Sequence, residues 1–193
     1  SKTPTNKFFI SILVEDDKEL PTKQQINPEA TIGIDLGIKT FATLSSGEKI
    51  DNPKYLNEKL QRLKILQRRA SRKTKGSNNR KRANLKVAKL YEKITNQRND
   101  FLHKLSSKII SENQTVILED LNIEGMLKNH CLARSISDVS WSKFVAFLKY
   151  KSEWYGKNII QIGRFEPSSK MCSGCGTINR ELKLSDRTWI CAN

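Results

Sequence analysis

Two apolar periods alternate along this chain. Short β-branched and aromatic runs bounded by Gly, Pro or Asn predict strands, and longer stretches with apolar residues recurring at three, four and seven predict one-sided helices. Phe8–Val14 (FFISILV) reads as a strand, and residues 15–30, with Pro21 and Pro28, as a loop or linker. Thr31–Asp35 (TIGID) and Thr40–Leu44 (TFATL) read as two strands of a β-hairpin turning at Gly37 and closed by Ser46-Gly47. The helical period then takes over from Asn57 to Lys108. One stripe is Leu60, Leu63 and Leu66; the other is Val87, Tyr91, Ile94, Phe101, Leu105 and Ile109. Residues 68–82 between them (RRASRKTKGSNNRKR) have no apolar stripe and are expected to form a basic loop joining two helices. Thr115–Leu118 (TVIL) is a buried-strand pattern ending in Glu119-Asp120, and residues 122–138 look irregular. Trp141, Phe144, Val145, Leu148 and Tyr155 mark an amphipathic helix with Ser140 as its N-cap, and Asn158–Phe165 (NIIQIGRF) a last strand stopped by Pro167.

Strands interleaved with helices predict an α/β fold with a mixed sheet and a helical insertion. The divisions expected are 1–30, the end of an upstream β domain and a linker; 31–166, the main domain, with a basic helical insert at 57–110; and 167–193, a small cysteine unit.

Charge adds a partner to this picture. The chain of 193 residues has 35 Lys+Arg against 20 Asp+Glu, a formal charge of +15. Residues 57–108 alone hold 17 Lys+Arg and three acids, a net of +14, so the rest is nearly neutral. That sign bias does not suit a salt-bridged surface and points to a polyanion, nucleic acid before membrane. Arg68, Arg69, Arg72, Lys73, Lys75, Arg80, Lys81 and Arg82 are the candidate phosphate-binding residues, which give affinity and salt dependence rather than sequence readout. No apolar run approaches the roughly 20 residues of a membrane span, and no signal peptide is read at the start, so the expected location is the cytoplasm, beside the nucleoid in a prokaryote.

Candidate chemistry lies at two strand ends. Asp35 ends the apolar run of IGIDLG, and Glu119 that of VILEDL. Carboxylates on neighbouring strands can share Mg²⁺ ions, whose preference is for hard oxygen ligands, and two such ions can drive phosphodiester hydrolysis. Asp120 competes with Glu119, because successive strand residues face opposite ways and only one joins Asp35. IGIDLG also fits the phosphate-binding start of actin-like ATPases, but their second Asp-x-Gly is missing: Asp35 is the only aspartate followed two residues on by glycine.

The cysteines suggest a different metal. Cys172 and Cys175 form a CSGC knuckle, and Cys191 follows after 15 residues, the spacing of a zinc ribbon whose fourth cysteine would fall at position 194. Cys131 stands apart and is expected to be a buried or partly buried free thiol; His103 and His130 are expected to be structural.

Taken in order, GIDLGIKTFATLSSG at 33–47, the basic two-helix insert, VILEDLNIEGML at 116–127 and FEPSSKMCSGCG at 165–176 resemble the TnpB family, the transposon-encoded OrfB proteins related to type V CRISPR nucleases. The resemblance runs from about residue 6 to the end. It implies an RNase H-like (RuvC) domain interrupted by a zinc ribbon, and an RNA-guided, Mg²⁺-dependent DNA endonuclease with a DNA target and a guide RNA as partners. It puts the first two catalytic acids on Asp35 and Glu119, rather than Asp120, and zinc on Cys172, Cys175 and Cys191. The family's third acid follows the ribbon's last cysteine, and Asp186-Arg187 precedes Cys191, so the chain by itself is expected to be inactive. The alternative from another class is a non-catalytic, basic zinc-ribbon protein holding nucleic acid as a transposition accessory factor.

Overall fold

The structure is a computed structural model describing residues 1–15, 19–163, 170–172, 174–183, 186 and 188–191. Its centre is a five-stranded sheet of order β3-β2-β1-β4-β5. The strands are β1 (Thr31–Leu36), β2 (Thr40–Leu44), β3 (Lys49–Asp51), β4 (Thr115–Glu119) and β5 (Asn158–Ile162). The first three form an antiparallel meander, and β1, β4 and β5 run parallel. A turn as tight as β1–β2 needs Gly37, where a Cβ would meet the Thr40 carbonyl oxygen at 2.7 Å.

Burial alternates along β1. Ile32 and Ile34 are covered, while Gly33 and Asp35 take the opposite face, as the strand period requires. The covered face packs against α2 (Asn78–Glu112), α4 (Ala133–Val139) and α5 (Trp141–Trp154). Leu102, Leu105, Ile109 and Ile110 of α2 supply the middle of this core, with Phe144 and Leu148 of α5. Phe41 sits edge-on between Phe101 and Phe144, both ring centroids 5.1 Å away, a favoured aromatic geometry.

With 35 residues, α2 is about 50 Å long at 1.5 Å per residue, longer than the sheet can cover. Its N-terminal half therefore leaves the core and pairs with α1 (Tyr55–Ser71) as a helical hairpin sealed by Leu63, Leu90 and Ile94. The root of the hairpin is held by one carboxylate. Lys54, before α1, is left-handed and gives no side-chain cap. Asp138 of α4 caps α1 instead, accepting from Leu56 N (3.1 Å to Oδ1) and Asn57 N (3.3 Å to Oδ2), while Arg98 of α2 donates to it at 2.8 Å.

Helices α1, α2 and α5, the β1–β2 hairpin and strands β4 and β5 lie where the sequence pattern predicts, β3 is an addition to it, and the mixed α/β class with a helical insertion holds. Other expectations need correction. Phe8–Val14 is no strand: its large apolar side chains are exposed, and Phe8 makes one isolated bridge to Lys2. β-propensity alone cannot make a strand without a neighbour to bond. Residues 122–138 are not irregular but hold α3 (Ile123–Leu127), capped by Asn122, and α4. Ser140 does not cap α5; it is left-handed, and its hydroxyl donates to the Ser137 carbonyl at 3.0 Å. Helical residues at both ends shorten the basic loop to residues 72–77. Cys131 is exposed rather than buried. The last strand stops at Ile162; Phe165 and Pro167 lie outside the described residues.

Candidate functional site

Parallel register brings the two strand-end acids together. Ile34 of β1 faces Leu118 of β4, so the next residues, Asp35 and Glu119, are neighbours on the face without helices. There they line an open cleft of about 580 Å³ floored by Gly33 and Ile117 and walled by Thr43, Ser45 and Ile162. The wall is held by Ser45, whose N–H donates to the Gly33 carbonyl (2.9 Å) and whose Oγ accepts from Gly33 N (3.0 Å). Partial loss of water, and then the Glu119 charge, lift the Asp35 carboxyl above the usual aspartate value. Asp120 is one residue past β4 and does not line the Asp35 cleft; its N–H donates to the Ile162 carbonyl (3.1 Å), and together with Glu119 it lines a second cavity of about 200 Å³ beside Lys149 and Gln161.

The three C-terminal cysteines also meet. Cys172 N donates to the Thr177 carbonyl and Gly176 N to the Cys172 carbonyl, both 2.9 Å, closing a tight turn in which Gly176 takes φ 73. The sulfurs of Cys172, Cys175 and Cys191 all lie within 4.8 Å of one another. Hydrogen bonding with Thr177, then with the other two cysteines, lowers the Cys175 thiol to about 6.

The hairpin divides the eight predicted phosphate-binding residues. Arg68 and Arg69 occupy the last turn of α1, Arg72, Lys73 and Lys75 the connection, and Arg80, Lys81 and Arg82 the first turns of α2. Only Arg69, Lys73 and Arg82 line the groove of about 950 Å³ between the helices. Five more cations in that groove are not marked by the sequence pattern of apolar residues: Lys59 and Arg62 on α1, and Lys86, Lys89 and Lys93 on α2. A signal for them exists. Positions 59, 62, 69 and 73, and 82, 86, 89 and 93, keep helical spacing, so the helical period applied to basic residues finds them.

Of the histidines, His103 stacks on Phe147 (centroids 3.9 Å apart), and burial, then Lys151 and Lys143, lower its pKa. Lys151 is itself buried, donating to the His103 carbonyl and to the hydroxyls of Ser106 and Ser107, each at 2.8 Å. Burial pulls its pKa below the usual lysine value.

Known proteins share both the sequence and the fold. Residues 9–130 match the family model for OrfB of IS605, described as "Probable transposase", and residues 141–193 match the Cas12f1-like TNB domain. A Streptomyces pristinaespiralis protein named "Putative RNA-guided DNA endonuclease" is 46% identical over 195 residues, covering 99% of this chain and 46% of that protein. InsQ of Escherichia coli K12, named likewise, is 30% identical over 201 residues, 96% of this chain and 49% of InsQ. The chain thus spans about half the length of the curated relatives it matches. The fold resembles that of Cas12f1 in a complex with sgRNA and target DNA, at TM-score 0.56 and 19% identity over 85% of this chain and 35% of that one. Among the described residues, no helix is long and apolar enough to cross a membrane.

Proposed function

This chain belongs to the OrfB/TnpB family of transposon proteins, and on that premise we propose that it carries the DNA-cutting domain of an RNA-guided, Mg²⁺-dependent endonuclease of a mobile element. The observation that carries the reading is the pairing of Asp35 and Glu119 on the open face of neighbouring parallel strands. Asp35 and Glu119 are the catalytic acids of this reading. Burial first, and then the Glu119 charge facing the same cleft, raise Asp35, and the hard oxygens of the two carboxylates suit Mg²⁺. Bound there, Mg²⁺ would activate water and offset charge on the phosphodiester being hydrolysed. The chain's own part is to fix the two acids on a rigid sheet and keep the face above them open for a DNA strand. Paired acids at matched register favour this over a non-catalytic accessory factor, which has no use for them.

The basic groove of α1 and α2 holds phosphates of the nucleic acid, guide RNA or DNA target, through eight cations over an apolar floor that includes Leu66 and Leu90. Cys172, Cys175 and Cys191 hold structural Zn²⁺: their sulfurs converge, and a thiol lowered to about 6 supplies thiolate at neutral pH. Zinc would cross-link a segment that has one short bridge, Met171 to Ile178, among its described residues. In this reading the nuclease domain is 31–166 with the insert 57–110, the ribbon is 167–193, and 1–30 link to an upstream domain.

The test is cleavage of labelled DNA by a protein of its relatives' full length that includes this chain, loaded with guide RNA and Mg²⁺. Replacing Asp35 or Glu119 by Ala is expected to lower the rate at least ~10³-fold with DNA binding retained, the size of loss seen when a group acting in the transition state is removed. Cleavage at the parent rate by either variant refutes the assignment.

A further inference from the structure

Away from the cleft and the groove, α5 carries an aromatic row whose inner member, Phe147, packs against the core and whose outer members the proposed site does not use. Phe147, Tyr150 and Trp154 recur at three and four, so they share one helix face. Phe147 meets Tyr150 edge-on at 5.8 Å between centroids, and Tyr150 meets Trp154 at 4.7 Å. The inner end of the row rests on α2: His103 stacks on Phe147 at 3.9 Å, and its Nδ1 lies 3.4 Å from the Tyr150 hydroxyl. Beneath, Lys151 ties α5 to α2 through three 2.8 Å hydrogen bonds, so the rings stand on two riveted helices. The outer end is bare. Trp154 is 60% exposed and Tyr155, just past the helix, 62%.

Charge selects the occupant. Lys143 stands exposed 5.8 Å from the Phe147 centroid, while Lys151, 6.0 Å from that of Tyr150, is buried and committed to α2. The acid on the facing turn of α2, Asp100, is already paired with Lys104 at 2.8 Å, and Glu153 is the one acid of α5. An exposed indole continuing a half-buried tyrosine ring, with an exposed lysine along the same row, matches a polyanion that also presents π-faces. Duplex bases are stacked on one another and hide their faces; unpaired bases do not.

We propose that Tyr150 and Trp154 form a stacking platform for unpaired bases of single-stranded nucleic acid, with Lys143 beside the strand's phosphates. This rests on the nucleic-acid reading above and adds a second binding surface with a preference for single strands. Stacking on an aromatic side chain is sequence-tolerant, and alanine in its place typically lowers affinity ~5- to 150-fold per base.

The experiment measures fluorescence anisotropy of labelled oligo-dT of about 12 nucleotides, within the range of single-strand site sizes, and of a duplex of equal length. The proteins are the parent chain, Trp154→Ala, Trp154→Phe and a groove variant, Arg69→Glu with Lys86→Glu. Trp154→Ala is expected to bind oligo-dT ~10-fold more weakly, with unchanged duplex binding and an unchanged slope of affinity against salt; Trp154→Phe restores most of the loss. Because the indole is mostly outside the fold, the thermal midpoint of Trp154→Ala stays at the parent value. Parent-like oligo-dT binding by Trp154→Ala, with the groove variant weakened, overturns the platform and leaves the nuclease reading standing. An equal loss on single strand and duplex also overturns it. A parent chain binding neither probe overturns both. If Trp154→Ala changes self-association but not oligo-dT binding, the row is a protein-binding face and the proposal fails.

Discussion

Replacing Asp138 by Ala removes a carboxylate that ties α1, α2 and α4 together, and its cost can be worked from its hydrogen bonds. Leu56 and Asn57 lose the acceptor for their N–H groups at the start of α1, where Lys54 provides no side-chain substitute; a lost N-cap costs about 1 kcal/mol. Arg98 loses its ion pair. Its side chain is only 18% exposed, and its Nε has no hydrogen-bond partner within the protein, so nothing takes the carboxylate's place. Stranding one member of a buried pair costs about 3–5 kcal/mol, and the lower end applies because Arg98 keeps some water. The sum is roughly 4 kcal/mol, which at about 2–4 °C per kcal/mol for a domain of this size lowers the melting midpoint by about 8–16 °C. Asp138→Asn keeps an acceptor oxygen for the cap and is expected to lose about half as much. Circular dichroism melts of the three proteins decide it, and a double-mutant cycle with Arg98→Ala isolates the pair. A fall below about 1 kcal/mol in Asp138→Ala, or a coupling near zero with Arg98, refutes the idea that this carboxylate fixes the hairpin to the sheet.

Three further outcomes follow from the same structure. Because Asp35 is raised, its ionisation disfavours the folded state; that cost is absent below the ordinary value of 3.8 and grows as pH rises through the folded value. Asp35→Asn should therefore melt higher than the parent at pH 7 without divalent ions and level with it in strong acid; a lower midpoint at pH 7 contradicts that cost. In metal-free protein at pH 7, iodoacetamide should alkylate Cys175 before the exposed Cys131, since a thiol at about 6 is mostly thiolate, and zinc should protect it; mass spectrometry showing Cys131 first, or no protection, counts against the three-thiolate site. Arg69→Glu with Lys86→Glu should weaken DNA binding and flatten the salt dependence by about 0.9 for each phosphate no longer neutralised; an unchanged slope removes the groove from the phosphate track.

The order of elements was legible because apolar period distinguishes strands from helices, and the pairing of Asp35 with Glu119 followed from acids ending two apolar runs. Which of Glu119 and Asp120 lies beside Asp35 was not legible from pattern, since it depends on the register of β1 against β4, a property of two strands separated by the whole hairpin. The segment Phe8–Val14 shows the opposite error: its residues favour a strand, but strand formation needs a partner edge. Asp138 was invisible for the same reason as the register. It caps a helix 82 residues away, so no local signature marks it. The α3–α4 helices were missed because each is short, with little period to read, though Asn122 was available as a cap.

The central claim is that Asp35 and Glu119 form one divalent-ion site. Mn²⁺ titrated into ¹⁵N-labelled protein tests it directly, because a bound paramagnetic ion broadens the amide signals nearest to it. Broadening is expected to begin at the ends of β1 and β4, around residues 33–36 and 117–120, and to disappear in Asp35→Asn but persist in Asp120→Asn. Broadening centred elsewhere, or unchanged by Asp35→Asn, would contradict it.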